Sequence, residues 1–285
     1  MAEKMETIEL QSRGAVFGID SSSEQFVLVS TNIDEMLGLG APHTLVGKAF
    51  YDILGSDVSH ALRNAETYRA QRPHRRLLGD LTLPKGQFEL EVFFCRGRLI
   101  VEAVPAQHAP YPTALEVVND VSVLTDSLLN DRSGLSAFKS FVALLRTISG
   151  YNCVVLERVT TGTRKPVFIS GRAELAHCRV PSSVQLHTVE DISAPTVSLQ
   201  LPENMCADFR AQSGLLGPLE HHRVSMHDAG VLGCASIVIE KDNEIWGRFK
   251  FLHTHPRVPS KRTQLAMHHI HPLIGQYLSN IIDGF

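Results

Sequence analysis

From Phe88 to Phe94 the chain alternates, with Phe88, Leu90, Val92 and Phe94 set against Glu89 and Glu91. A period of two puts the four apolar side chains on one side of a strand, so this segment folds with one face buried. Arg96-Gly97 turns the chain and Leu99 to Val104 returns as the partner strand. Soon afterwards the pattern changes. Ala109-Pro110-Tyr111-Pro112 interrupts it, and from there Ala114 to Leu129 and Leu135 to Ile148 carry apolar residues at helical spacing. In the second of these the residues are Leu135, Phe138, Phe141, Leu145 and Ile148, and Gly150 stops the helix. A hairpin that ends in a proline-rich break before two helices marks a domain boundary, and 285 residues suffice for two domains of ordinary size.

Upstream, Ala15 to Ile19 and Phe26 to Ser30 read as strands joined by the turn residues Asp20-Ser21-Ser22-Ser23. Asn32 opens a short helix that Gly38 closes, and a further one covers Ala49 to Leu54. Downstream, Cys153 to Leu156 reads as a strand. Ala235 to Ile239 runs through Lys241-Asp242-Asn243 into Ile245 to Leu252, a hairpin with Ile245, Gly247, Phe249 and Phe251 on one face. In the tail, Leu273, Ile274, Tyr277, Leu278, Ile281 and Ile282 predict an amphipathic helix starting at Pro272 or kinked there. The expected fold class is α+β: two domains, each an antiparallel β-sheet flanked by helices. Residues 1–108 form the first, 109–134 a linker and helix, and 135–285 the second.

Composition narrows the function by exclusion. A net charge of -3 offers no basic field for nucleic acid, and the local cluster Arg72, His74, Arg75 and Arg76 reads as a solvated loop or helix end. No apolar run reaches the ~18 residues of a bilayer span, and the start Met1-Ala2-Glu3-Lys4-Met5-Glu6 has no signal-peptide core. The expectation is a cytoplasmic protein with no membrane or nucleic-acid partner. Five cysteines without a CxxC pair read as reduced core thiols. There is no Walker loop, GxSxG elbow or HExxH; Gly38-Leu39-Gly40 is too short to cradle phosphate, and Glu190-Asp191 reads as a solvated pair, so no enzyme is expected. The histidines of His177-Cys178, His221-His222, His253-Thr254-His255, His268-His269 and His271 lack an acidic partner at metal-ligand spacing, and no metal is expected. Haem held by one axial histidine, His222, needs less and stays open.

Two strands, short helices and a strand-rich finish resemble a PAS domain; helices, strand, variable middle, hairpin and closing helix resemble a GAF domain. The resemblance extends to bacteriophytochromes. Gln11-Ser12-Arg13-Gly14 keeps two residues of the family's Gln-Pro-His-Gly segment, and Val29-Ser30-Thr31-Asn32, Met36-Leu37-Gly38, Leu45-Val46-Gly47-Lys48 and Gly79-Asp80-Leu81-Thr82-Leu83-Pro84 keep its spacing. Ser149-Gly150-Tyr151-Asn152-Cys153-Val154-Val155 is similar to the first strand of its GAF domain, and Ile245-Trp246-Gly247 to its Leu-Trp-Gly hairpin. The likeness spans roughly residues 10 to 256.

The resemblance implies a tetrapyrrole site that this chain has partly lost. The bacterial attachment cysteine precedes the glycine matched by Gly14, and residues 1–14 contain no cysteine. The same short N-terminus leaves little of the segment that threads through a GAF loop, so no knot is expected. The cyanobacterial and plant position precedes a bilin-facing histidine; counting back from Ala229-Gly230-Val231 puts His222 at the histidine and His221 where that cysteine stands. His253 matches the last residue of the family's Cys-His-His segment, with Phe251 and Leu252 in place of the first two, and Tyr151 lies in the matched strand. In Pro181-Ser182-Ser183-Val184-Gln185-Leu186, Val184 stands for the aspartate that contacts the pyrrole nitrogens. Without that carboxylate a buried, protonated tetrapyrrole lacks its compensating charge. The candidate cofactor-binding residues are therefore His222, His221, His253, Val184 and Tyr151, with His222 and His253 equally readable as ordinary solvated histidines. Two functions follow: a degenerate sensory module with no cofactor that regulates a signalling partner by contact, or a sensor holding a tetrapyrrole non-covalently, biliverdin before haem. The apolar stripes of the closing helix and of Leu135 to Ile148 have two readings, a homodimer bundle through the GAF helices, as in the family, or cover for their own sheet.

Overall fold

In the computed structural model of the chain, residues 4–67, 76–106, 113–129, 135–160, 163–181, 186–241 and 244–281 are described. Arg72, His74, Arg75, the 109–112 break, the stretch 182–185 with Val184 and the turn residues 242–243 lie outside them. In chain order the strands are β1 (Met5–Gln11), β2 (Ala15–Asp20), β3 (Gln25–Val29), β4 (Arg76–Leu83), β5 (Gly86–Cys95), β6 (Arg98–Pro105), β7 (Cys153–Thr160), β8 (Thr163–Gly171), β9 (His187–Val189), β10 (Thr196–Pro202), β11 (Gly233–Lys241) and β12 (Glu244–His253). The helices are α1 (Ile33–Leu37), α2 (Pro42–Leu45), α3 (Ser56–Thr67), α4 (Ala114–Leu129), α5 (Leu135–Ser149), α6 (Cys206–Gln212), α7 (Glu220–Asp228) and α8 (Lys261–Ile281). The segment expected as a helix over Ala49 to Leu54 is a single 3-10 turn at Phe50–Asp52.

Two compact units form: Met1–Ala109 with Ala194–Gly217, and Pro110–Ser193 with Pro218–Phe285. The first is built on an antiparallel sheet in the order β3-β2-β6-β5-β4. Phe88, Leu90 and Val92 enter a core with Phe17, Phe26, Val101 and the apolar residues of α1, α2 and α3, as the alternation in β5 requires. The opposite face is apolar too. Val16, Leu28, Phe93, Cys95 and Ile100 pack there against Ile8, Leu10, Leu199, Leu201 and Phe209 of β1, β10 and α6.

That second layer contradicts two expectations. The sequence reading assigns residues 194–217 to the second domain, yet they complete the core of the first. The N-terminal strand, expected to leave the loop with little to hold, is gripped on both edges. β1 pairs with β10 in a two-stranded antiparallel sheet along its whole length. On its other edge Gln11 N–H donates to Leu215 O at 2.8 Å and Gly217 N–H donates to Glu9 O at 2.9 Å. Buried Glu102 on β6 fixes the returning arm, accepting from Ser213 Oγ at 2.5 Å and from Gly214 N–H at 3.2 Å.

The second unit is built on the antiparallel sheet β8-β7-β12-β11-β9. Leu124 and Leu128 of α4, Phe138, Phe141 and Leu145 of α5, and Met267, Ile270 and Ile274 of α8 cover one face, meeting Val154, Leu156, Ile237, Phe249 and Phe251. The 114–129 helix is thus part of this core rather than a linker, and the Arg262 guanidinium of α8 donates to the Asp120 carboxylate of α4 at 2.6 Å. α8 begins eleven residues before Pro272 and runs through it to Ile281. Ser260 caps its first turn, its Oγ accepting from Thr263 N–H at 3.2 Å. The apolar spacing beyond Pro272 marks only the second half of the helix.

Candidate functional site

Strand parity on β12 decides what the two faces of the second sheet present. Phe249 and Phe251 point to the helical layer, so Arg248, Lys250 and Leu252 point to the other side. Glu157 on the neighbouring strand β7 meets them there. Arg248 Nε donates to Glu157 Oε2 at 2.5 Å, Lys250 Nζ pairs with Glu157 Oε1, and all three side chains are at most 5% exposed. Burial pulls the Lys250 ammonium below its ordinary pKa, opposed by the Glu157 charge.

Two buried cations face one carboxylate, and main-chain dipoles take up the remainder. Lys250 Nζ donates to Ala176 O at 2.7 Å and to Cys178 O at 3.0 Å, and Arg248 Nη1 donates to Val180 O at 3.2 Å. The Ser236 hydroxyl on β11 donates to Pro181 O. These bonds hold residues 176–181 directly against the sheet. Between them Cys153, Cys178, Val180, Met226, Val231, Cys234 and Leu252 close an apolar layer. Burial pushes the thiols of Cys153 and Cys178 up to about 11 and that of Cys234 higher still, so all three are neutral and unreactive near pH 7.

α7 lies over this face, with Met226 in the layer and the two adjacent histidines in its first turn. His221 is exposed and His222 half-buried, their ring centroids 3.9 Å apart. Burial first, then the charges of His221, Arg248 and Arg164, depress the His222 pKa to about 4. Its imidazole is neutral at pH 7, and its buried Nδ1 has no hydrogen-bond partner among the described residues.

His253 and Tyr151 are not brought to this place. His253 follows Leu252 on β12 and takes the opposite parity; its ring stands perpendicular to that of Tyr151 at 5.8 Å, and Tyr151 belongs to the helical core. The counting that matched His253 to a pocket histidine puts Leu252, not His253, on the face of His222. Val184 lies outside the described residues. Glu157, Arg248 and Lys250 escaped the sequence reading, although the signal was present: Arg248 and Lys250 alternate with the phenylalanines that defined the buried face. Two cations on the reverse side of a central strand require a buried acid. Among the described residues no group of three or more His, Cys, Asp or Glu side chains is placed to hold a metal ion, and no helix is long and apolar enough to cross a membrane.

Residues 176–181 and the apolar layer occupy the sheet face over which α7 lies, and residues 182–185, which follow them, are outside the described residues.

Residues 4–106 match the sequence model of a family described as PAS fold. No curated protein matches the chain. Among solved structures, the chain is similar to the chromophore-binding domain of an unusual bacteriophytochrome from R. palustris, at 17% identity and a TM-score of 0.76 over 97% of this chain and 96% of that one. The chromophore-binding domain of a Stigmatella aurantiaca bacteriophytochrome, a Thr-to-His mutant in the Pr state, matches at 16% identity and a TM-score of 0.76, over 95% of each chain. A longer R. palustris bacteriophytochrome structure matches at 18% identity and a TM-score of 0.78, over 99% of this chain and 60% of that one. The fold is the α+β PAS-GAF fold of bacteriophytochrome chromophore-binding domains.

Proposed function

We propose that this chain is a phytochrome-like sensory module without a covalently attached bilin, which acts on a partner protein by contact and performs no catalysis. The buried Glu157, Arg248 and Lys250 cluster carries the reading. It anchors residues 176–181 on the sheet face that His222 overlooks, where the family resemblance expects the chromophore. The position that the resemblance aligns with the cyanobacterial and plant attachment cysteine supports it as well, because it is occupied by His221.

The partner includes a second copy of the chain. α4 carries Leu115, Val118 and Val123 in exposed positions while its Leu124 and Leu128 are buried, so it has an apolar stripe left over after packing its own sheet.

Absorption spectra after mixing the purified chain with biliverdin and, separately, with haemin test the reading. Free-ligand spectra are expected in both. A red-shifted, sharpened bilin band that disappears in His222→Ala would overturn it in favour of non-covalent bilin binding, and a Soret shift would do so in favour of haem. One observation favours this second reading: the neutral His222 imidazole, unpartnered at Nδ1 among the described residues, which has a free nitrogen for a tetrapyrrole or an axial iron.

A further inference from the structure

In the second unit α5 ends where β7 begins and β8 finishes. A cleft of about 540 Å³ opens there, lined by Arg146, Thr147, Gly150, Tyr151, Asn152, Gly171 and Arg172. Its floor needs glycine. Gly150 and Gly171 have φ of +65° and +98°, and a Cβ on Gly171 would stand 2.1 Å from Asn152 O and 2.9 Å from Arg146 Cδ. These two residues let the backbone turn under the guanidinium groups.

The cleft has hydrogen-bond donors without acceptors. Arg146 spends only its Nε, on Ser170 Oγ at 3.1 Å. Arg172 spends its Nε on Glu174 Oε1 at 2.7 Å. Among the described residues the Nη atoms of both have no partner. Asn152 Oδ1 accepts from Thr254 N–H and Oγ1–H, both at 3.0 Å, which fixes the amide and leaves Nδ2 as a third donor. Behind the floor Arg257 reaches to Gly150 and donates from Nη2 to Ser149 O at 3.1 Å, satisfying the end of α5, while its buried Nε has no partner among the described residues. Three guanidinium groups therefore stand against one described carboxylate, Glu174, and the helix end that would otherwise occupy them is already capped.

We propose that this cleft binds a small-molecule phosphate, with Arg146 and Arg172 gripping its oxygens from two sides and Asn152 Nδ2 donating from the floor. Guanidinium forks match the geometry of phosphate oxygens, and a doubly charged oxyanion balances the excess of cations better than a single carboxylate does. The site shares no residue with the His222 face and does not depend on whether a tetrapyrrole is bound.

Calorimetric titration of the whole chain with inorganic phosphate, at constant ionic strength, tests the assignment, alongside amide chemical shifts. Saturable binding is expected, with the largest shifts at Gly150, Asn152 and Gly171. Arg146→Ala and Arg172→Ala each weaken it roughly tenfold or more, the scale of one charge-assisted contact. Arg146→Lys keeps the charge but loses the fork, so it is also weaker, while Lys139→Ala on the exposed side of α5 is unchanged. Absence of saturation, equal binding of acetate, or equal weakening by Lys139→Ala would each overturn the proposal.

Discussion

Glu157 holds together two side chains that no other described charge in the second unit neutralises so closely. Removing it as Glu157→Leu leaves Arg248 and Lys250 buried and unpaired, a change that costs about 3–5 kcal/mol. Urea unfolding is expected to show that loss. Combining Glu157→Leu with Arg248→Met and Lys250→Met should recover most of it, because a packed apolar trio carries no desolvation penalty. His222 gives a second prediction at this scale. Its folded pKa, about 4, lies below the ordinary 6.5, so the unfolded chain binds the proton more readily. The contribution is complete above pH 6.5 and is lost as pH falls toward 4. The fall in urea midpoint between about pH 7 and about pH 5 is therefore expected to be smaller in His222→Gln than in the parent chain.

At the scale of elements, strands and helices that follow one period were legible and those that depend on distant partners were not. β2, β3, β5, β6, α4 and α5 stand where their alternation or helical spacing put them. β1 and β10 went unread although Ile8 and Leu10, and Val197, Leu199 and Leu201, alternate with polar residues; the runs are short, and the pairing that makes each a strand is with a segment on the far side of most of the chain. The start of α8 was not legible, only a helix beginning at its proline or kinked there, because the first half carries polar residues and histidines among few apolar ones. In the candidate site the family resemblance pointed to His221 and His222 but not to the ion cluster, since only strand parity across β7 and β12 brings Glu157 under Arg248 and Lys250. α4 tests the element reading directly. Leu124 is wholly buried against α5 and α8, so Leu124→Ala is expected to cost about 2–5 kcal/mol in chemical denaturation, whereas a free linker helix would lose almost nothing. Leu115 lies on the exposed side of the same helix, and Leu115→Glu should leave that stability intact while lowering the concentration-dependent mass in sedimentation.

For the molecule as a whole, the grip of residues 194–217 on β1 sets an order of events during synthesis. β1 waits for β10, and the chain must first produce α4, α5, β7, β8 and β9. Until then Val16, Phe93 and Ile100 have no cover on their side of the first sheet. A fragment of residues 1–108 is expected to bind a hydrophobic dye and to aggregate where the complete chain does not, as light scattering would report. Loop closure over such a sequence separation is slow, so refolding from urea should show the amides of β1 gaining protection last, later than those of the β5–β6 hairpin. Completion of the first unit therefore reports that α4, α5, β7, β8 and β9 have been made, while α7, β11, β12 and α8 of the second unit are still to come.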